Sequence, residues 1–399
     1  MRVVMLCEFF NEALEYQENL LVKYYRKHGH AVTVITSTFD AVFDYYNDRH
    51  DNRTPARTYF HEGAKIIKLR YRYNVMHKLR AYTDISSILE QERPDLIYVH
   101  DVMLNFPEAI RYKKRHPHCR VIMDYHADYS NSGNSWLSLA VLHGVIRKWF
   151  LDRARPHLSK IFPIVPAGVT FLHEVYKVPL SEMEVLPLGA DTDLGRAVRD
   201  SHAGRELRRT LGIPEGEVVI FTGGKLSPLK KTEVLIEAIQ SLADPKLHLV
   251  VAGEASDQDR EYKEMLARAA SGNANIRFVG WLGRMDIYKY LDMATLAVFP
   301  ASQSILWQQA ISMGLPLIVG DVGHQSISYL NLENNIVILP NAEIRSDRLA
   351  KVIAEVISDP GRMREMSEGA MRVSNEHLNW DKLILRTLRF NEQSTRCAK

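Results

Sequence analysis

Thr222-Gly223-Gly224-Lys225-Leu226-Ser227-Pro228-Leu229-Lys230-Lys231 is the stretch whose reading decides the fold. It follows an apolar run of strand length, Val218 to Thr222, and precedes a helical period from Thr232 to Leu242. A strand that ends in glycines and hands over to a helix is the repeating unit of parallel sheets. Glycines let another group approach the backbone closely. A helix N-terminus and the ammonium groups of Lys225 and Lys230 both attract phosphate. A diphosphate site satisfies this spacing, and so does a plain glycine turn beside two solvated lysines. The Walker A spacing and the Gly-x-Gly-x-x-Gly dinucleotide fingerprint are both absent.

The same alternation continues on either side. Downstream, Leu247 to Ala252, Ile276 to Val279, Leu296 to Phe299 and Leu315 to Val319 read as buried strands. Helices follow, among them Ser304 to Met313. Upstream, strands are expected at Val3 to Cys7, Ala31 to Thr36, Lys65 to Leu69, Leu96 to Val99, Val121 to Met123 and Ile161 to Ile164. A helix from Glu12 to His28 stops at Gly29. Continuous apolar strands between helices mean α/β architecture, with parallel sheets covered on both faces. Phe39 to Gly63 is polar and aromatic and reads as a loop.

At 399 residues the chain is too long for one ordinary core. We expect a first Rossmann-like domain over residues 1–190 and a second over 191–375. A C-terminal helix within 376–399 is expected to pack back on the first. The glycine-rich stretch Leu188 to Arg205 is the expected link.

Open parallel sheets bind ligands beyond the carboxyl ends of their strands. The polar residues there are Glu8, His100, Asp101, His126 and Asp128 in the first half. In the second half they are Gly223, Gly224, Lys225, Gly253, Glu254, Ser302, Gln303, Ser304, Gly320 and Asp321. Phe299 to Ala310 forms a second strand–loop–helix signal. Its loop offers hydroxyls and N–H groups, and Gln309, a turn into the helix, suits a pair of ribose hydroxyls. The bland alternative for Gln309 is a surface glutamine on an amphipathic helix.

A net charge of +3 does not point to a nucleic-acid binder, which would show a dense basic face, but leaves room for local basic patches aimed at phosphates. Cys7, Cys119 and Cys397 are too few and scattered for a disulfide framework, which points to a reducing, cytoplasmic setting. The N-terminal apolar run is short and ends in Glu8, unlike a signal peptide, and no run is long enough to span a bilayer.

Several motifs, taken together, resemble the family 4 glycosyltransferases. Gly29-His30-Ala31-Val32-Thr33-Val34-Ile35 is similar to that family's second strand. Pro187-Leu188-Gly189-Ala190-Asp191 is similar to its interdomain turn, and Gly224 to Lys230 to its Gly-Arg-Leu-x-x-x-Lys motif. Asn275 to Gly280 resembles its strand beside the nucleobase. Gln309-Ala310-Ile311-Ser312-Met313-Gly314-Leu315-Pro316 matches Glu-Ala-x-x-x-Gly-x-Pro with glutamine for glutamate.

The resemblance implies the GT-B fold, two Rossmann-like doubly wound domains facing a central cleft that closes over the substrates. It implies retaining transfer from a nucleotide-diphospho-sugar, UDP favoured and GDP next, to a glycan or lipid-linked acceptor in surface polysaccharide synthesis. No cofactor or metal is then required. Lys225 and Lys230 would neutralise the diphosphate, as positioned cations do for a charged leaving group. Gly280, with Trp281 and Leu282 after it, would face the base, Gln309 the ribose, and His126 the donor sugar.

Three departures stand out. The family's paired glutamates are missing, with Ala301 and Gln309 in their places, so Ser302, Gln303 and Ser304 would hold the sugar. Lys225 replaces the usual arginine and loses its bidentate fork. The glycine pair after the first strand is replaced by Glu8 to Asn19. A non-catalytic nucleotide-binding subunit and a sugar-nucleotide epimerase are the rival readings. His126 and Asp128 could form a metal pair but lack a third ligand at suitable spacing. Glu8 and Asp101 would serve an acceptor hydroxyl or cap helices.

Trp136 to Phe150 combines apolar residues with Arg147 and Lys148, followed by Arg153 and Arg155, and a second basic run lies at Arg111 to Arg115. A basic amphipathic helix can lie on the inner face of a membrane. The simpler expectation here is a core helix of the first domain.

Overall fold

The alternating apolar runs pair as strands of two sheets, one per unit, in the computed structural model of the chain. It describes residues 1–389 apart from 15, 42–43, 46–48, 50–52, 76–77, 133–134, 302 and 324–326. One unit comprises Met1–Pro187 and the C-terminal stretch from Asp381; the other is Leu188–Trp380.

The first unit contains β1 (Arg2–Leu6), β2 (Ala31–Ser37), β3 (Arg57–His61), β4 (Ala64–Leu69), β5 (Tyr71–Val75), β6 (Leu79–Tyr82), β7 (Leu96–His100), β8 (Arg120–Tyr125) and β9 (Lys160–Pro163). Its main sheet runs β3-β4-β2-β1-β7-β8-β9. All pairs are parallel except the edge pair β3–β4. β5 and β6 form a separate antiparallel hairpin. The second unit contains β10 (Val218–Gly223), β11 (Leu247–Ala252), β12 (Ile276–Gly280), β13 (Leu296–Phe299), β14 (Leu317–Asp321) and β15 (Ile336–Pro340). Its sheet is parallel throughout, in the order β12-β11-β10-β13-β14-β15.

That order is the doubly wound one, built outward from its first strand in both directions. The strands are apolar throughout because both faces are covered. Along β10, Val219 and Phe221 enter one core while Ile220 enters the other. The order reverses between β10 and β13, and in the first unit between β1 and β7. Each reversal opens a crevice at the strands' carboxyl ends.

Four sequence expectations are corrected. Part of the stretch read as a loop, Phe39 to Gly63, is the edge strand β3, whose exposed residues carry no hydrophobic period. β15 and the β5–β6 hairpin were not anticipated. The glycine-rich Leu188 to Arg205 is largely helical, with helices Thr192–Asp200 and Ala203–Thr210 inside the second unit. Asp191 caps the first of them through the Leu194 N–H at 3.1 Å, and its buried carboxylate pairs with Arg284 at 2.6 Å. The segment expected as a core helix is buried on one side only: Trp136, Leu137, Val141, Val145 and Trp149 are exposed.

The C-terminal helix Trp380–Leu388 is tied to the first unit by polar contacts. Thr387 Oγ1 lies 2.6 Å from Tyr25 Oη, Asp381 pairs with Lys27 at 2.7 Å, and Arg386 with Glu184 at 2.7 Å. Among the described residues, no helix is long and apolar enough to cross a membrane.

Candidate functional site

The crevice between β10 and β13 in the second unit gathers most of the residues singled out above. β10 ends at Gly223, and Gly224 turns with φ +120°. A Cβ on Gly224 would stand 3.6 Å from both Lys230 Cε and Ser304 Oγ, so these three groups share one small space. Lys230 Nζ donates to the backbone carbonyl of Gln303 at 2.6 Å. Gln303 therefore reaches the crevice through its main chain, in a role its side-chain chemistry does not announce. Ser302 lies outside the described residues.

Lys230 is the unusual charge. Its ammonium is largely buried, and among the described residues no carboxylate pairs with it. Burial lowers its pKa to about 8. A charge in that position costs free energy until an anion arrives. Lys225 behaves differently: it is exposed and pairs with Asp259 at 3.3 Å. The two lysines, alike in the sequence, are a poised cation and a solvated one.

The helix expected to cradle phosphate is Thr232–Leu242. Its first N–H, on Thr232, is already taken by Tyr262 Oη at 3.0 Å. The N–H groups of Lys230 and Lys231 close a short turn onto Ser227 and Pro228. The positive charge aimed at the crevice is thus the Lys230 side chain, not that helix end.

Neighbouring strand ends complete the wall. Gly253 N donates to Gly280 O at 2.7 Å, and Leu226 N to Glu254 O at 2.9 Å, so three loops are laced together. Gly280 turns with φ +71°, Trp281 is well exposed, and Leu282 packs against the core. The Glu254 carboxylate pairs with Lys263. Gln309 is buried within the wholly buried helix Leu306–Ser312, which removes the surface-glutamine alternative.

In the first unit, the ends of β1, β7 and β8 carry a different chemistry. Asp124 is fully buried and accepts from His100 Nδ1 and Tyr98 Oη, both at 3.0 Å. His126 Nε2 stands 3.3 Å from the same carboxylate, and His100 Nε2 lies 3.2 Å from Glu18. Burial alone would lower the His100 pKa, but Asp124 and Glu18 pull it up to about 10. Burial alone would raise that of Asp124, but His100 and His126 hold it far below the usual carboxylate range. The ligating atoms of His100, Asp124 and His126 lie within 4.8 Å of one another, as a three-ligand metal set would. The trio missing from the His126–Asp128 spacing therefore exists, but through Asp124 and His100. Asp128 instead turns onto its own loop, accepting from the Ser130 and Asn131 N–H groups. The strand runs on past the expected end at Met123 to Tyr125, which brings Asp124 into the site; a carboxylate continuing a buried strand is its signal in the sequence.

Neither Glu8 nor Asp101 caps a helix. Glu8 forms a two-pronged ion pair with the buried Arg80 of the unanticipated hairpin. Asp101, at φ +60°, accepts the His126 N–H at 3.2 Å.

A pH dependence follows from Lys230. Its folded pKa lies below that of a lysine in the unfolded chain, so its charge opposes folding at neutral pH. This penalty is relieved as pH rises from about 8 towards the ordinary lysine value. Pyrophosphate affinity should run the other way, holding below about pH 8 and falling above it as the free protein loses the ammonium. Calorimetric titration with pyrophosphate across that range checks this, and Lys230→Met should flatten the profile.

Residues 204–373 match the family described as Glycosyl transferases group 1, and residues 19–194 match Glycosyltransferase Family 4. A D-inositol 3-phosphate glycosyltransferase of Rhodococcus erythropolis is 25% identical over 221 residues, covering 53% of this chain and 48% of that protein. The chain spans about half the length of the curated relatives it matches. Among solved structures, sucrose-phosphate synthase of Thermosynechococcus elongatus superposes with a TM-score of 0.69 at 16% identity, covering 97% of both chains. Anabaena HepE in complex with UDP-glucose superposes with a TM-score of 0.66 at 16% identity, covering 97% of this chain and 99% of that one. The fold these chains share is GT-B.

Proposed function

Since this chain belongs to the family 4 glycosyltransferases, we propose that it moves a sugar, with retention, from a nucleotide-diphospho-sugar to a hydroxyl of a glycan or lipid-linked acceptor. UDP is the favoured nucleotide, as in the HepE complex with UDP-glucose. Surface polysaccharide assembly from the cytoplasmic side is the proposed setting.

The observation that carries this reading is the buried Lys230 ammonium at the β10–β13 crevice, held by a carbonyl and by no carboxylate among the described residues. A diphosphate supplies the missing anion. As the donor's bond between C1 and the phosphate oxygen breaks, negative charge gathers on the leaving phosphate, and Lys230 stabilises it. The acceptor oxygen forms the new bond on the same face, and its proton passes to the departing phosphate oxygen. No metal is needed, because the lysine meets the charge. Lys225 adds a screened contribution from the rim. Gly280 and Trp281 border the base, Gln309 lies along the ribose, and Ser304 with the Gln303 main chain borders the sugar.

Within the first unit, His126 and Asp101 are the residues proposed for sugar recognition. Glu8 is already engaged by Arg80 in a two-pronged ion pair.

Incubation with UDP-, GDP- and TDP-sugars tests the reading. Slow release of free UDP, accelerated by an acceptor glycan, is the expected result. A sugar altered while still attached to its nucleotide would make the protein an epimerase, and binding without release would make it a non-catalytic subunit.

A further inference from the structure

The segment from Trp136 to Ala154 is wound partly as a π-helix, Ser138–Arg147, and then as an α-helix, Lys148–Ala154. In such a helix, residues four apart fall in one row. Leu137, Val141, Val145 and Trp149 form that row, and all four are exposed, Val145 at 62%. Trp136, at 77%, extends it. The next position, Arg153, continues the row with its guanidinium 3.5 Å from the centre of the Trp149 ring. The opposite side of the helix is anchored: Leu151 enters the first unit's core, and buried His143 meets Tyr176 Oη at 2.7 Å.

The charge along this row is mostly positive, and Arg155 at its end is paired with Glu182 at 3.3 Å. Between residues 136 and 155 there are four cations and a single carboxylate, Asp152, which Lys148 neutralises at 2.7 Å. The helix Phe106–Arg115 packs alongside, with Arg111 and Lys114 exposed. Arg147 reaches the Lys78 carbonyl at 3.2 Å and so brings in the β5–β6 hairpin, where Tyr73 and Val75 are also exposed and Arg72 sits over the Tyr73 ring.

We propose that this face of the first unit docks on an anionic phospholipid bilayer. The apolar row and its tryptophans enter the headgroup–acyl boundary while Arg153, Lys114 and Arg111 meet the lipid phosphates. An apolar ridge one residue wide is too narrow to form the core of a protein interface, but it matches the depth at which interfacial helices lie. A basic shoulder in which Asp152 and Glu182 are each already paired with a cation complements a negative surface. This reading stands apart from the transfer chemistry, and its test reads no turnover.

Co-sedimentation with phosphatidylcholine vesicles, with and without phosphatidylglycerol, tests it on the full chain. The wild type should bind the phosphatidylglycerol vesicles, release as salt rises, and show blue-shifted tryptophan emission. Val145→Asp should lower the bound fraction roughly tenfold, and Lys114→Glu should weaken binding and flatten its salt dependence. Both substitutions are on exposed positions, so melting temperature and UDP binding should be unchanged. The proposal fails if the wild type ignores phosphatidylglycerol vesicles, or if Val145→Asp binds them equally. It also fails if the wild type is a dimer that Val145→Asp dissociates, which would make the face a contact between copies.

Discussion

Lys230→Ala should lower UDP-sugar turnover by roughly 10²–10³-fold, the usual cost of removing one positioned group that meets transition-state charge. The same substitution should leave the melting temperature of the nucleotide-free protein unchanged or higher. The two effects have opposite signs for one reason. In the free protein the ammonium is largely desolvated and, among the described residues, meets the Gln303 carbonyl at 2.6 Å and no carboxylate, so its charge is a burden that alanine relieves. With a diphosphate present the same charge is compensated, and its removal strands the anion. A purely structural lysine would behave in reverse, losing stability and sparing turnover. Lys225→Ala is the internal control. That side chain is exposed and already paired with Asp259, so salt screens it and the loss should be about tenfold or less. Nucleotide release kinetics, UDP titration and thermal melts on the two variants separate these outcomes. Full activity in Lys230→Ala would remove the residue from the site and the diphosphate reading with it.

Gly253→Ala should destabilise the second unit by roughly 3 kcal/mol and abolish measurable UDP binding in what remains folded. Gly253 follows β11 with φ +129°, where a side chain is strained. Its Cβ would also fall 1.8 Å from the Gly224 carbonyl oxygen, a distance no packed structure tolerates. The only relief is to push the Gly224 turn away, and that turn lies against Lys230. The clash thus converts a change on one loop into a displacement of the charge on its neighbour. Urea unfolding followed with and without UDP measures both parts. A wild-type midpoint would mean that the β10 and β11 loops do not meet as closely as the Gly224–Gly253 contact requires.

The strands of both sheets were legible where they are buried on both faces. Val218 to Thr222 and Leu247 to Ala252 are short, largely apolar runs that end in glycine, and their length and β-branched content favour a covered strand over a helix. β3 was not legible, because an exposed edge strand has little apolar surface to organise. The helix read as a core helix does send Leu151 and Ala154 into the core, but composition alone does not say which of its apolar residues the fold leaves outside. Its row of four-residue spacing was present in the sequence, but it acquires meaning only once Leu151 and His143 are seen to face inward.

By itself, then, the sequence determined the α/β class, the family resemblance and the glycine–lysine loop at the end of a strand, because these depend on local periodicity and on residues close in the chain. Which lysine is poised and which is solvated, the trio His100, Asp124 and His126, and the neutralisation of Glu8 by Arg80 were decided by the tertiary structure alone. Each depends on desolvation and on charges brought together by strand order. Asp259, for instance, is 34 positions from Lys225 and 29 from Lys230, yet it reaches only the first. Charge is written in the chain, but the dielectric around it and the partner beside it are properties of the fold.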